Sequence, residues 1–154
     1  AQNYGAGKYE RIKQGYRRAV GIISSWGVLT TAVLIAFPAF LFRLFIPDPS
    51  LTSMGVSYLQ ILGVSQLFMC IEGVSAATFQ GIGRPVPSSV CGILGNAARI
   101  PMAMALSATV LGLDGIWWSI SISSIAKGIV VFTWFVVILR RYTHRQAQGV
   151  DGLE

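Results

Sequence analysis

Between Leu51 and Gly83 the chain carries one charged side chain, Glu72, in an otherwise uncharged and mostly apolar run. A bilayer span takes about 20 predominantly apolar residues. The run is long enough to cross, and it stops at the turn sequence Gly81-Ile82-Gly83-Arg84-Pro85. Three further stretches have the same character, which sets expected spans at 19–46, 51–80, 86–111 and 116–139. In hydrocarbon every backbone polar group must be satisfied internally, so only helices and closed barrels cross. Runs of this length without two-residue alternation exclude a barrel. The expected fold is all-α integral membrane: four transmembrane helices in an antiparallel bundle, preceded by a basic amphipathic interfacial helix. Charged residues make up 12% of the chain, half the roughly 25% of soluble domains, and mean hydropathy is +0.62.

The net charge of +6 is unevenly placed. Lys8, Arg11, Lys13, Arg17 and Arg18 precede the first span, Arg84 sits in the second turn, and Arg140, Arg141 and Arg145 follow the last span. The opposite turns hold only Arg43, Asp48 and Asp114. This positive-inside asymmetry puts both termini and the Gly81–Pro85 turn in the cytoplasm of a plasma or inner membrane. Anionic headgroups account for the basic residues, and no recognition motif accompanies them, so nucleic acid is not an expected partner. The chain divides into a cytoplasmic loop and basic helix (1–18), the membrane bundle (19–140) and a polar tail (141–154). It opens without a starting Met and reads as a piece of something longer.

Within the basic helix, Tyr9, Ile12 and Tyr16 form an apolar stripe that suits the membrane interface and leads into the first span. Ser24, Ser25, Thr30 and Thr31 are expected to bond within that span, and Pro38 to kink its outer end. Arg43 can snorkel outward, and Thr52 or Ser53 can cap the second span. Leu111 to Gly115 reads as a tight outer turn, with Trp117 and Trp118 as interface anchors. Cys70 and Cys91 differ in expected depth by roughly 7 Å, which argues against a disulfide. His144 has no second ligand nearby for a metal site.

Three ionisable groups fall inside spans: Glu72, Arg99 and Lys127. Tyr58, Ser65, Glu72 and Phe79 recur every seven residues, with Ser75 and Ala76 one turn beyond Glu72, so polar and small residues share its stripe. Glu72 is therefore expected to face protein or a water-filled cavity. In the third span Gly92, Gly95, Asn96, Arg99 and Ala103 share a face suited to close helix approach. Pro101 leaves the Ala97 carbonyl without its helical donor, and a broken helix with Asn96 or Arg99 compensating is expected there. Two readings of the charges stand side by side. One is a structural ion pair between Glu72 and Arg99 or Lys127. The other is a carboxylate that binds a coupling cation or cationic substrate in a cavity. No Ser-His-Asp set, paired carboxylates or Cys/His cluster is present, so an enzyme, a bound cofactor and a metal centre are not expected.

Four short signatures then stand in order: Gln2-Asn3-Tyr4-Gly5-Ala6-Gly7-Lys8, Phe79-Gln80-Gly81-Ile82-Gly83-Arg84, Arg99-Ile100-Pro101 and Gly115-Ile116-Trp117-Trp118. Together they resemble the multidrug and toxic-compound extrusion (MATE) transporters over about 1–140. The resemblance implies the end of helix eight and helices nine to twelve of a twelve-helix antiporter, with the N-terminal lobe as missing partner. It also implies small amphipathic or cationic substrates exchanged against sodium or proton. Glu72 falls in the helix where members commonly carry an acid implicated in cation or drug binding. In some members that acid stands one turn earlier, where this sequence has Met69. The candidate cation- or substrate-binding residues are Glu72, which lies in the helix the resemblance points to, Tyr58 and Ser65 on its stripe, Asn96 and Arg99 beside Pro101, and Lys127. Alternatives are a self-contained four-helix small multidrug exporter, disfavoured because the first span has no acid, a lipid-linked saccharide flippase, and a non-transporting scaffold subunit.

Overall fold

The computed structural model describes residues 2–147, and side chains through Tyr142. The polar tail expected at 141–154 is helical as far as Ala147, and its remainder lies outside the described residues, as does the His144 side chain. Among the described residues the regular elements are all helices: α1 (Gln2–Gly5), α2 (Tyr9–Ala36), α3 (Pro38–Phe45), α4 (Pro49–Gly81), α5 (Val86–Ser107) and α6 (Gly112–Ala147). Four of these, α2, α4, α5 and α6, are long and apolar enough to cross a membrane. The protein is an integral membrane protein of the all-α class.

Helix ends follow local chemistry. The basic segment at 8–18 is not a separate element, because α2 runs unbroken from Tyr9 into the first span. At Phe37 the helix does more than kink. Pro38 cannot donate, so α2 ends at Ala36 and Pro38 opens the short helix α3. Asp48, not Thr52 or Ser53, caps α4: its carboxylate accepts from the Ser50 backbone N–H at 2.8 Å and the Ser50 hydroxyl at 2.7 Å. These two bonds, the hydroxyl's first, hold the Asp48 carboxyl below its ordinary pKa. The third span is shorter than expected. Helix α5 ends at Ser107, and Gly112 already belongs to α6, so the outer turn is 108–111.

Two of the signature loops have one geometry. In each, a glycine at positive φ follows a helix, Gly7 at 65° and Gly83 at 74°. Gly83 N–H donates to the Gln80 carbonyl and Arg84 N–H to Phe79, both at 3.0 Å. Gly7 and Lys8 repeat this toward Tyr4 and Asn3. This is the Schellman termination, which needs a residue tolerant of the left-handed region.

Pairings along the helices give their directions. Helices α2 and α4 run antiparallel, since Tyr16 meets Ser75, Gly27 meets Leu67 and Thr31 meets Gly63. Helices α4 and α6 run parallel, with Tyr58 on Trp117, Ile61 on Ser121, Phe68 on Gly128 and Phe79 on Phe135. Helix α5 returns along α6, with Arg99 at Ser123 and Leu106 at Gly115. Successive spans thus alternate in direction, but the spatial order is α2–α4–α6–α5. Among the described residues α2 and α5 make no close approach, and α4 and α5 touch only slightly. The arrangement is a row in which α6 stands between α4 and α5.

Packing differs along the row. Toward the basic end, Tyr16, Phe79, Ile82, Val131, Phe135 and Leu139 form a buried cluster. Beyond it Tyr9 stacks on Tyr142 at 5.2 Å, the Tyr4 hydroxyl donates to that of Tyr142 at 3.3 Å, and the Arg84 guanidinium lies 5.4 Å from the Tyr142 ring centre. Farther along, small residues let backbones close in. The Thr31 hydroxyl leaves its own helix to donate to the Gly63 carbonyl at 3.1 Å, and Ser121 donates to Ile61 at 2.7 Å. Ser25 and Thr30 bond within α2, as expected. Cys70 and Cys91 are free thiols.

Candidate cation-binding site

Glu72 lies nine positions before the end of α4, about 14 Å along the helix axis from the Gly81 end. On its stripe Ser65, Ser75 and Phe79 are completely buried; Tyr58 and Phe79 meet Trp117 and Phe135 of α6, and Ser75 meets Tyr16 of α2. Glu72 itself is partly buried, with 21% of its side chain exposed. One carboxylate oxygen, Oε1, is 3.3 Å from Nζ of Lys127 on α6, whose side chain is 13% exposed. The same ammonium donates to Oδ1 of Asn96 on α5 at 3.3 Å. Three helices therefore meet at one nitrogen.

The glycine at position 95 makes this possible. A Cβ there would overlap Cδ and Cγ of Lys127, so the stem of the lysine lies across bare α5 backbone. The next residue of α6, Gly128, lets the helix close on α4: a Cβ at that site would stand 2.7 Å from the Phe68 carbonyl oxygen. Neither glycine is in a turn. Gly95 lies on the face of α5 expected to admit close helix approach, whereas Gly128 is not marked by its sequence surroundings.

Arg99 does not join this group. Its Nε donates to Ser123 Oγ at 3.0 Å and Nη2 to Ser124 Oγ at 3.3 Å, one turn of α6 away from Lys127. Among the described residues no carboxylate is within ion-pairing distance of it. Ser123 and Ser124, almost fully buried, are thus committed to the guanidinium. Helix α5 also passes through Pro101 without interruption, so the expected break is absent. Neither Asn96 nor Arg99 is turned back on its own helix, because α6 supplies stronger partners.

Tyr58 and Ser65 stand apart from the carboxylate. Ser65 is buried and donates to the Leu62 carbonyl at 3.0 Å, a full two turns from Glu72, about 10 Å by helix rise. Tyr58 packs edge-on against Trp117 at 5.5 Å. Of the six expected residues, the structure brings together Glu72, Lys127 and Asn96, with Arg99 adjacent along α6 and Tyr58 and Ser65 farther out.

The cluster joins one carboxylate, one ammonium and one neutral oxygen acceptor. A carboxylate in a span requires a positive partner, and a primary ammonium is a compact charge on a flexible stem that can move. Asn96 adds a neutral oxygen acceptor beside it. No curated protein matches the chain significantly. A family model, MatE, matches residues 1–105, which takes in α1 to α4 and α5 almost to its end, and so Glu72, Asn96 and Arg99 but not Lys127. With more than half of its 154 residues in that match, and with its glycine-terminated signature loops and Glu72 inside it, the chain belongs to the MatE family of membrane transporters.

Proposed function

We propose that this chain forms part of a cation-coupled multidrug efflux antiporter in which Glu72 binds the coupling cation or a cationic substrate. The coupling ion is sodium or proton, and the substrates are small amphipathic or cationic compounds. The observation that carries the reading is the convergence of α4, α5 and α6 on Glu72, Lys127 and Asn96. The Glu72–Lys127 pair itself joins α4 and α6, helices in direct contact. What a two-helix structural pair would not need is the third partner, Asn96 of α5, a helix that scarcely touches α4.

The rest of the reading follows from charge and topology. The basic residues at the Tyr4–Arg84–Tyr142 end support a cytoplasmic location for both termini. Exposed apolar side chains along the row, such as Trp26, Ile93 and Met104, suit lipid or the packing of a second lobe. Alternating access needs two such bodies to rock about the site. Arg99 would act on the site through the serines of α6 and its long-range charge, since it does not reach Glu72.

The test is export by the whole transporter carrying Glu72→Gln, reconstituted in vesicles. Loss of cation-driven export with the protein still inserted is expected. Coupled export at the wild-type rate would leave Glu72 and Lys127 as a structural pair only.

A further inference from the structure

The Lys127 ammonium sits where a bound cation would sit. It is the positive charge 3.3 Å from Glu72, and its stem is laid along Gly95 in a position a Cβ would forbid. It also has a second acceptor already in place, Asn96 Oδ1 at 3.3 Å. An ammonium held only by Glu72 could not leave without being stranded in the span, which is costly. This one can yield the carboxylate and keep a hydrogen bond to α5. Its three donors and four-carbon stem permit that small swing.

We infer that Lys127 is a tethered competitor for the cation site: its ammonium occupies Glu72 in the empty state and retires to Asn96 when a cation binds. The inference rests on the reading of Glu72 as a cation-binding carboxylate. It assigns Lys127 as a residue that sets affinity and release without itself contacting the chemistry of export, and it assigns Asn96 as the parking place. It also defines the ligand class. Only a species with a formal positive charge can replace an ammonium at a carboxylate, so neutral amphiphiles would be poor ligands at this position.

Competition by a tethered group has a definite signature. Apparent affinity falls by the fraction of molecules whose site is free, so a site free in one molecule in ten binds about tenfold more weakly than its intrinsic value. Removing the competitor restores that factor and slows release. A purely structural lysine has the opposite effect, since breaking a pair leaves the acid poorly placed.

The experiment uses the whole transporter in nanodiscs, with tetraphenylphosphonium as the probe and its dissociation constant read by equilibrium dialysis. Lys127→Met should tighten binding about fivefold or more, including binding that emerges where the wild type shows none, and should slow probe release. Lys127→Arg, which keeps the charge, should stay near the wild type. Asn96→Leu should weaken binding, because the ammonium loses its alternative acceptor, and this variant decides the matter if Lys127→Met does not insert. Equal constants for wild type and Lys127→Met, no binding to either, or no change with Asn96→Leu overturns the inference. Glu72→Gln separates the two levels. If it weakens binding while Lys127→Met changes nothing, only the competitor falls. If Glu72→Gln binds as the wild type does, the assignment of Glu72 falls with it.

Discussion

Gly128 of α6 lies directly beneath Phe68 of α4, so close that a Cβ on it would come within 2.7 Å of the Phe68 carbonyl oxygen and 3.1 Å of the Phe68 Cβ. Both obstacles belong to or adjoin the backbone and cannot turn aside. Gly128→Ala is therefore expected to push α4 and α6 apart and to cost about 1–3 kcal/mol. Gly73 is the control, with nothing within 4 Å of its would-be Cβ. Gly73→Ala should be neutral or stabilising by up to about 1 kcal/mol, from helix propensity. Unfolding in detergent micelles measures both; equal effects would contradict the close approach.

Gly95 tests the cradle of the lysine. Gly95→Ala places a methyl where the Lys127 stem runs, and the stem can move only by drawing its ammonium away from Glu72. Probe affinity in Gly95→Ala should shift in the same direction as in Lys127→Met, by about fivefold or more. Gly92→Ala, one turn away with open space around it, should bind as the wild type does.

Tyr16 and Ser75 share a buried hydroxyl–hydroxyl hydrogen bond of 2.7 Å that ties α2 to α4. Ser75 also donates to the Ile71 carbonyl at 2.8 Å, so Tyr16 is the donor between them. Tyr16→Phe removes one bond and leaves Ser75 still paired, at an expected loss of about 0.5–1.5 kcal/mol. Ser75→Ala strands the tyrosine hydroxyl inside the cluster and should cost about 1–3 kcal/mol. The order of the two, read from denaturant midpoints, is the discriminating result.

Asp48 sets a pH dependence at the other end of α4. Its carboxyl is held below the ordinary value by the Ser50 hydroxyl and N–H. A depressed folded-state pKa means the cap contributes fully above the unfolded value, about 3.9. The contribution is lost as pH falls through the folded value. The melting temperature of the wild type in detergent should therefore converge on that of Asp48→Ala below about pH 4. A gap that persisted in acid would show that the ionised cap is not the source.

How much of this was legible in the residues depends on the range of the forces involved. The spans near 51–80 and 116–139 could be read because apolar length is a local property, and the turn at Gly81–Pro85 because glycine and proline mark it locally; the helix Gln2–Gly5 and its termination at Gly7 were not expected. The seven-residue stripe of Tyr58, Ser65, Glu72 and Phe79 correctly gave one face of α4. Its partner was not legible. Whether Glu72 meets Arg99 or Lys127 depends on which helix lies beside α4, and both bases were expected at similar depth. Pro101 was likewise read locally as a break. The helix instead passes through it, held along α6 by the Arg99 bonds to Ser123 and Ser124.

The sequence by itself determined the solvent of this protein, the number of its spans, and the presence of three charges that water could not reach freely. The tertiary structure alone decided that the row runs α2–α4–α6–α5 and that a bare glycine on α5 makes room for the lysine of α6. Hydrophobic length acts on each segment separately, whereas an ion pair needs two side chains within a few ångströms. That distance is set by helix order and by which side chain lies against the bare backbone at Gly95, neither of which any single segment encodes.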